Sequence, residues 1–364
     1  MMSSLLRIEN LSKKYKGLLA NDDINMEIFS GDVRCIIGPN GSGKTSCLEV
    51  IHLLLTRKSL KTRDLKECIR KDQNSFFLGF QGLSRGEQLT ISAEKSLNTR
   101  ISIRANINNE PSKGKNLPLC QSIQARNLRL LEGEPELRRD LFNKIMFHVE
   151  HESYEINQRY KKVLIQRNRA LKNKSSEKEL IIWTNQLVEE GEELGKINKE
   201  FFQKFYEAAM EIQKDSSKKE ELLFLNGFKI KYSPGWDEGL KLKEALRNSI
   251  NKDQALGYTT QGPHRLDLKF YIQNKLAKSI LSRGQQTLLI LLIYFKMNTM
   301  LNQSQKAGLI YLLDDITSEL DEKNLAITLE QIYQLGSQVI ITSIKAAEEV
   351  EGSPFLSEFK QINL

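Results

Sequence analysis

The segment Gly38-Pro39-Asn40-Gly41-Ser42-Gly43-Lys44-Thr45 decides the fold, because it is a complete Gly-x-x-x-x-Gly-Lys-[Ser/Thr] phosphate-binding loop. It follows the β-rich run 33–37 and precedes the apolar run 46–55, which predicts a buried strand, the loop and then a helix. Glycines let backbone N–H groups approach phosphates closely, Lys44 reaches the outer phosphates, and the Thr45 hydroxyl is a ligand for Mg²⁺. We therefore expect the cofactors ATP and Mg²⁺, with the nucleotide held by Gly38, Asn40, Gly41, Ser42, Gly43, Lys44, Thr45 and Ser46.

A second signal lies far along the chain, where the apolar run 309–313 ends in Asp314 and Asp315. Acidic residues at a strand end are the expected complement of a phosphate-binding loop. We expect Asp314 to hold the metal ion together with Thr45, and Asp315 to orient or deprotonate a water molecule. Lys44, Asp314 and Asp315 are therefore the predicted catalytic residues.

The composition is that of a globular protein large enough for two lobes, with 364 residues, 40% of them hydrophobic and 27% charged. The net charge of +8 suits a polyanionic partner. The longest apolar run, 288–295, is far shorter than the roughly 20 residues that a bilayer requires, so we expect a cytoplasmic protein with no membrane partner. The cysteines form no Cys-x-x-Cys pair, and His148 and His151 are expected to be surface residues.

The hydrophobic periodicity changes twice along the chain. Residues 5–37 and several short stretches between 76 and 107 alternate in polarity and predict strands. Between 137 and 213 the period is helical, and the polar stretch 172–178 predicts a turn between two long antiparallel helices. Strands are then predicted at 222–224, 228–232 and 268–272, with a short helix near 240–250. The last hundred or so residues return to buried helix and strand, so the two chain ends are predicted to build one nucleotide-binding head.

The segment Leu281-Ser282-Arg283-Gly284-Gln285-Gln286 precedes an apolar helix predicted at 287–297. Here the chain resembles the ATP-binding-cassette (ABC) superfamily, whose Leu-Ser-x-Gly-Gln motif presents a serine, a glycine backbone and a helix N-terminus to a γ-phosphate bound on the opposite subunit. The resemblance implies that Ser282, Gly284 and Gln285 contact ATP in a head-to-tail homodimer.

A near copy of this motif, Leu83-Ser84-Arg85-Gly86-Glu87-Gln88, occurs earlier in the chain. It is followed by the alternating residues 89–92 and not by an apolar helix. Without a helix N-terminus it lacks the dipole that favours an anion, so we predict a hairpin turn there.

The long separation between Lys44 and Ser282 favours the chromosome-maintenance branch of the superfamily over transporter cassettes. Within that branch the chain resembles the RecF recombination-mediator family along nearly its whole length. The resembling segments are 48–54, Arg138-Arg139, 160–171 with Gln166-Arg167-Asn168, Gln261-Gly262-Pro263-His264-Arg265, 281–286 and 312–321. The resemblance implies an α/β fold: an ABC-type ATPase head, made of a P-loop α/β core with an antiparallel β subdomain, from residues 1–125 and 255–364, with an inserted helical arm lobe at 126–254.

This resemblance also implies a function in recombinational repair, replication and the SOS response. The expected protein is an ATP-dependent homodimer that clamps duplex DNA at gaps or single-strand junctions. It hydrolyses ATP slowly, with stimulation by DNA, and helps to load a recombinase together with a mediator protein.

Several positions depart from the family pattern. Residues 8–15 look like the opening of a transporter cassette, in which Tyr15 lies where an aromatic ring stacks on adenine, although a core or surface tyrosine is an equal alternative. Ala125-Arg126-Asn127 stands where Pro-Glu-Asp is expected, and Leu266 stands where an acid is expected. Against the transporter interpretation, no histidine follows the strand predicted at 338–341, where transporter cassettes carry one, and Thr342 and Ser343 stand there instead. A transporter ATPase subunit and a non-hydrolysing DNA-binding scaffold therefore remain alternatives.

Basic residues concentrate in two stretches that could contact DNA phosphates. One follows the first helix and the other lies in the arm, where no acid occurs between Asn157 and Ser175. A solvated helix face is the alternative interpretation. The predicted DNA contacts are Arg57, Lys58, Lys61, Arg63, Arg159, Lys162, Arg167 and Arg169, with Lys66, Lys161, Lys172 and Lys174 nearby.

Overall fold

The computed structural model describes residues 4–15, 18–29, 33–84, 87–112, 117–150, 152–216, 219–304, 309–344 and 360–363. The elements of the first part of the chain are β1 (Ser4–Tyr15), β2 (Leu18–Phe29), β3 (Val33–Ile37), α1 (Lys44–Thr56), β4 (Ser75–Ser84), β5 (Glu87–Ser96), β6 (Ser102–Ile107), β7 (Glu110–Pro111) and β8 (Leu119–Ile123). Those of the middle are α2 (Pro135–Val149), α3 (Ser153–Lys172), α4 (Glu177–Ser216), β9 (Phe228–Ser233), α5 (Leu242–Asn248), α6 (Ile250–Leu256), β10 (Asp267–Ile272) and β11 (Lys275–Leu276). The last are α7 (Arg283–Ser304), β12 (Leu309–Leu313), α8 (Glu322–Gln334), β13 (Gln338–Ser343) and β14 (Lys360–Asn363).

The chain divides into two compact units. The first, the head unit, contains Met1–Leu128, Arg283–Asn298 and Gln305–Leu364. The second, the arm unit, contains Arg129–Ser282 and Thr299–Ser304. Residues 255–282, which the sequence assigned to the head, cluster with the arm unit because β10 pairs along its whole length with β9. The expected boundary at 254 therefore moves to Ser282 in the structure.

The head unit contains a parallel sheet and an antiparallel sheet. The parallel sheet has the strand order β14-β3-β13-β12-β8, and the antiparallel one the order β2-β1-β4-β5-β6-β7. Helix α1 is apolar on several sides because it packs on both sheets. Its Cys47 and Leu48 belong to one buried cluster with Leu312 and Ile340, and its Leu53 and Leu54 belong to another with β5 residues.

The parallel register determines where polar side chains meet. Ile37 pairs with Ser343, and Leu313 pairs with Ile341, so β3, β13 and β12 end at the same edge of the sheet. Ligand sites of open α/β sheets form at this carboxyl edge. The phosphate-binding loop and the acidic strand end are consequently neighbours.

The arm unit is built on the hairpin of α3 and α4. Ile156 and Tyr160 of α3 pack with Leu187 and Leu194 of α4 in a buried cluster, which confirms the two predicted helices. A short antiparallel sheet, β11-β10-β9, completes the unit. Among the described helices, none combines the length and apolarity needed to cross a bilayer.

The strand predicted at 222–224 is wrong. Residues Glu220–Leu225 form a 3-10 helix. Leu222 and Leu225 are both buried, and a spacing of three residues places them on the same side of a turn of helix.

Candidate nucleotide-binding site

The phosphate-binding loop has the backbone conformation that its glycines allow. Gly41 and Gly43 have φ angles of +90° and +97°, a region that side chains with a Cβ rarely adopt. Gly43 is also the N-cap residue of α1, so the first N–H groups of the helix lie at the loop. These N–H groups have no partner within the helix and can donate to a phosphate.

Lys44 is buried in the centre of the loop. Its Nζ donates to the carbonyl oxygens of Gly38 at 2.5 Å and Pro39 at 2.9 Å. The loop is therefore wrapped around a positive charge. A bound phosphate chain would gain the attraction of this ammonium group in a partly desolvated environment.

Two hydroxyl groups converge on Asp314. Thr45 Oγ1 donates to Asp314 Oδ1 at 3.0 Å, and Thr342 Oγ1 donates to the same oxygen at 2.9 Å. Hydroxyl and carboxylate oxygens are the donors that Mg²⁺ prefers. Thr45 and Asp314 therefore fit the predicted metal ion, which would neutralise phosphate charge during transfer.

Asp315 has the features of a proton acceptor. It lies in the left-handed region at φ +52°, and its backbone N–H donates to Thr342 Oγ1 at 2.9 Å. Among the described residues, no group donates a hydrogen bond to its buried Oδ1. Burial raises the pKa of the Asp315 carboxyl, and the Asp314 carboxylate raises it further, against the opposing effects of the Ser318 hydroxyl and the charge of Lys44. A free lone pair and a raised pKa suit a group that takes a proton from water.

These residues surround a cavity of about 390 Å³. Its lining is Asn40, Gly41, Gly43, Lys44, Thr45, Ser46, Lys61, Asp314, Asp315 and Thr342. Gly38 and Ser42 are not among the lining residues, although the Gly38 carbonyl holds Lys44. The side chain of Tyr15 lies outside the described part of the structure, so its predicted stacking on adenine stays a prediction.

The sequence did not assign Lys61 or Thr342 to this cavity. The chain reverses direction after α1 at Arg57, whose φ is +62°. The returning loop is held on α1, because Ser59 Oγ donates to the buried Glu49 at 2.5 Å and the ring of His52 contacts the Lys58 carbonyl at 2.8 Å. This anchoring carries Lys61 to the cavity. In the sequence, the available sign of this anchoring was the presence of Glu49 and His52 within the mostly apolar run 46–55.

The Leu-Ser-x-Gly-Gln segment begins a helix, as predicted. Ser282 is exposed directly before α7, and Gly284 lies in the first turn. A Cβ on Gly284 would lie only 3.0 Å from Asn324 Nδ2 and 3.1 Å from Asp321 Oδ2, so a side chain here would force these two groups to shift by a few tenths of an ångström. Arg283 forms an ion pair with Glu319 at 2.6 Å. None of the segment's residues is among those that line the cavity of the described head unit.

The near copy of that segment has a different structure. Ser84 ends β4, Glu87 begins β5, and the two residues pair across an antiparallel ladder. Arg85 and Gly86, where the turn was predicted, lie outside the described residues. The flanking strands are those of the expected hairpin.

Of the eight predicted DNA contacts, six are exposed, one is buried, and one is paired with carboxylates at the surface. Arg57, Lys58, Lys61, Arg63, Lys162 and Arg169 are exposed. Arg167 is fully buried and pairs with Asp253 at 2.9 Å, so its predicted contact with DNA is wrong. Arg159 lies at the surface, but it pairs with Glu190 at 2.9 Å and Glu193 at 2.6 Å, which compensates its charge.

The phosphate-binding loop and the acidic strand end lie at the carboxyl edge of the parallel sheet, and the Leu-Ser-x-Gly-Gln segment begins α7. Together with the antiparallel sheet of the head unit, these features define an ABC-type ATPase head, into which a helical arm unit is inserted. No family model matches the sequence. The "DNA replication and repair protein RecF" of Stutzerimonas stutzeri is 32% identical over 326 residues, which cover 88% of this chain and 86% of that protein. The chain belongs to the RecF family.

Solved structures agree on the fold. The structure described as "the recombination mediator protein RecF-ATPrS in RecFOR pathway" matches with a TM-score of 0.74 at 20% identity, covering 100% of this chain and 98% of the other. An SMC head bound to the C-terminal winged-helix domain of ScpA matches with a TM-score of 0.52 at 14% identity, covering 100% of this chain and 95% of that one. These matches show that the chain has the fold of RecF and SMC head structures.

Proposed function

We propose that this protein is an ATP-dependent DNA-binding ATPase of recombinational repair and replication. Two protomers would bind two ATP molecules between them and close on DNA. The names of its relatives, which are DNA replication and repair proteins, support this function. The cavity described above supports ATP and Mg²⁺ as the ligands.

The observation that carries the proposal is that the phosphate-binding loop and the acidic strand end line one cavity without residues of the Leu-Ser-x-Gly-Gln segment. The cavity is lined by the loop and the acidic strand end, while Ser282, exposed before α7, is not among its lining residues. A γ-phosphate bound by Lys44 would therefore be capped by Ser282 and Gly284 of a second copy. Because ATP would contact both chains, it stabilises the dimer by mass action.

Hydrolysis would then open the dimer. Asp315 would accept a proton from the attacking water, since its Oδ1 is buried with its lone pairs available. Thr45 and Asp314 would hold Mg²⁺ against the outer phosphates. Loss of the γ-phosphate would remove the group that Lys44 of one chain and Ser282 of the other both bind, so hydrolysis would act as a switch that opens the dimer. We propose that this switch is slow and that DNA stimulates it.

DNA would be bound through charge and shape. The exposed residues Arg57, Lys58 and Arg63 in the head unit, and Lys162 and Arg169 in the arm unit, are available to phosphates. A duplex with a gap or a single-strand junction is the proposed substrate, and a recombinase-loading mediator is the proposed protein partner.

Binding to a gapped duplex, measured with ATP·Mg²⁺, with ADP and without nucleotide at several salt concentrations, tests the proposal. Light scattering on the same samples gives the mass of the complex. We expect salt-sensitive binding that requires ATP and accompanies a dimer. ATP-dependent dimers that ignore DNA under all conditions would contradict the proposal.

A further inference from the structure

The segment 257–259 lies against the last turns of α3. A Cβ built on Gly257 would lie 3.7 Å from Lys172 Cα. The backbone N–H and the hydroxyl of Thr259 both donate to Asn168 Oδ1, at 2.8 and 2.7 Å. Tyr258, between these two anchored residues, is therefore fixed beside the end of α3.

Tyr258 presents an aromatic ring to solvent, since 42% of the residue is exposed. The guanidinium carbon of Arg265 lies 5.3 Å from the centroid of its ring. Arg265 is itself exposed and held in place, because Nη2 donates to the Thr259 carbonyl at 3.3 Å. This cation–π contact orders the ring without burying it.

The end of α3 against which residues 257–259 pack carries exposed basic side chains. Arg169, Lys172 and Lys174 are exposed at the end of α3 and in the turn after it. Asp253, in the first turn of helix α6, is fully buried and paired with Arg167, so it does not offset this surface charge. The nearest acids along the hairpin are Glu177 and Glu179 in the first turn of α4. We call Arg169, Lys172, Lys174, Tyr258 and Arg265 the Tyr258 patch.

We propose that the Tyr258 patch binds single-stranded DNA, with one base stacked on the Tyr258 ring and the adjoining phosphates against Arg169 and Lys172. An exposed aromatic ring amid basic side chains is the combination that binds single strands without sequence preference. Bases within a duplex are stacked on one another and do not offer their faces to a side chain. The proposal rests on the DNA binding proposed above and refines it, because it gives the arm unit the means to distinguish a gap from intact duplex.

The test uses the full chain with ATP·Mg²⁺ and two DNA probes: a single-stranded oligonucleotide containing 2-aminopurine, and the blunt duplex of the same sequence. Tyr258→Ala should weaken single-strand binding about 10-fold and abolish the stacking-dependent quenching of 2-aminopurine, while duplex binding changes less than about twofold. Tyr258→Phe keeps the ring and should behave as the unmodified chain does. Tyr154→Ala is the matched control, because Tyr154 is also exposed on the arm unit but lies at the opposite end of α3.

A second variant does not depend on the aromatic ring. Lys172→Ala should lower the slope of log affinity against log salt by about 0.7 on the single strand, and Lys199→Ala, at an exposed lysine of α4, should not. Unchanged single-strand binding by Tyr258→Ala, or equal losses on both probes, would overturn the Tyr258 patch while leaving duplex binding intact. Absence of any ATP-dependent DNA binding by the unmodified chain would instead overturn the proposed function.

Discussion

The head unit and the arm unit each bury charged groups, but the ion-pair and hydrogen-bond partners of these groups differ. In the arm unit, Arg167 donates to Thr184 at 3.0 Å, to Asp253 at 2.9 Å and to Thr259 at 2.7 Å. Asp253 also accepts from the backbone and hydroxyl of Thr260, at 2.9 and 2.6 Å. In the head unit, by contrast, Asp315 has no such ion pair: its Oδ1 is buried without a donor among the described residues, and Lys44 donates to main-chain carbonyls. Arg167 Nη2 also lacks a partner among the described residues, but the Arg167 guanidinium keeps its charge paired with Asp253.

This difference separates a structural cluster from a functional one. A buried ion pair with added hydrogen bonds holds elements together, since each partner offsets the desolvation of the other. Buried groups with unused capacity destabilise the protein slightly until a ligand completes them. We therefore expect substitutions in the arm cluster to change stability, and those in the head cluster to change ATP chemistry.

The largest effect on stability should come from Arg167→Ala. It leaves Asp253 fully buried without its ion-pair partner, which costs about 3–5 kcal/mol. Urea unfolding measures the free energy of unfolding. Arg169→Ala, two residues away and exposed, is the control and should change it by less than about 0.5 kcal/mol. Equal changes in the free energy of unfolding for the two variants would contradict a stabilising role of the buried pair of Arg167 and Asp253.

Asp315→Asn should change ATP hydrolysis and leave the stability of the protein nearly unchanged. It removes the proton acceptor but keeps the size of the side chain, so hydrolysis should slow about 100-fold or more, which corresponds to ~3 kcal/mol in activation free energy. Nucleotide affinity and the free energy of unfolding should remain near those of the unmodified chain. Phosphate release and equilibrium ATP binding measure the two quantities. Unchanged hydrolysis would exclude Asp315 as the acceptor and favour the non-hydrolysing scaffold.

The arm unit should also lose stability on mild acidification because of His264. Its Nδ1 contacts Tyr160 Oη at 2.6 Å and its Nε2 contacts the Thr259 carbonyl at 3.0 Å. Burial lowers the pKa of His264 to about 4, from its usual 6.5. The unfolded chain therefore binds a proton that the folded chain does not, and stability present above pH 6.5 is lost as the pH falls toward 4.

Between pH 6.5 and 5 this loss amounts to about 1.5 kcal/mol. His264→Gln has no such titration, so its free energy of unfolding should depend less on pH in this window. The comparison is made by urea unfolding of both chains at several pH values. An equal pH dependence of the free energy of unfolding in the two chains would contradict the role of His264 in this loss of stability.

The smallest effect is expected for Arg159→Ala. Arg159 is exposed and its pairs with Glu190 and Glu193 lie at the surface, where solvent screens them. We expect no measurable change in the thermal unfolding midpoint or in DNA affinity. A weaker DNA complex would show instead that the arginine leaves its carboxylates for phosphate.

The sequence predicted the parts whose signals are local. The loop 38–45, the strand that ends at Asp314 and the helical hairpin all have a period or a motif of their own. The two Leu-Ser-Arg-Gly copies were also separated correctly by the residues on their C-terminal side, since 287–297 continues as helix and 89–92 as strand. Local patterns were sufficient wherever neighbours in sequence decide the outcome.

Sequence reasoning failed where a distant partner decides the outcome. Arg167 looked like its exposed neighbour Arg169, and only the fold brings Asp253, which is 86 positions away in sequence, into contact with it. Lys61 reached the nucleotide cavity because Glu49 and His52 hold its loop, which a count of basic residues does not reveal. The 3-10 helix at Glu220–Leu225 was mistaken for a strand because a three-residue apolar segment fits either structure.

The central claim is that each ATP is shared between Lys44 of one chain and Ser282 of another. Mixing two inactive variants, Lys44→Ala and Ser282→Arg, tests it most directly, with ATP hydrolysis and light scattering as the measurements. Each variant alone would contain only damaged sites, whereas a mixed dimer would contain one site with both Lys44 and Ser282 intact. The account predicts that mixing restores ATP-dependent dimers and part of the hydrolysis. No recovery at any ratio, with both variants folded, would contradict the shared site.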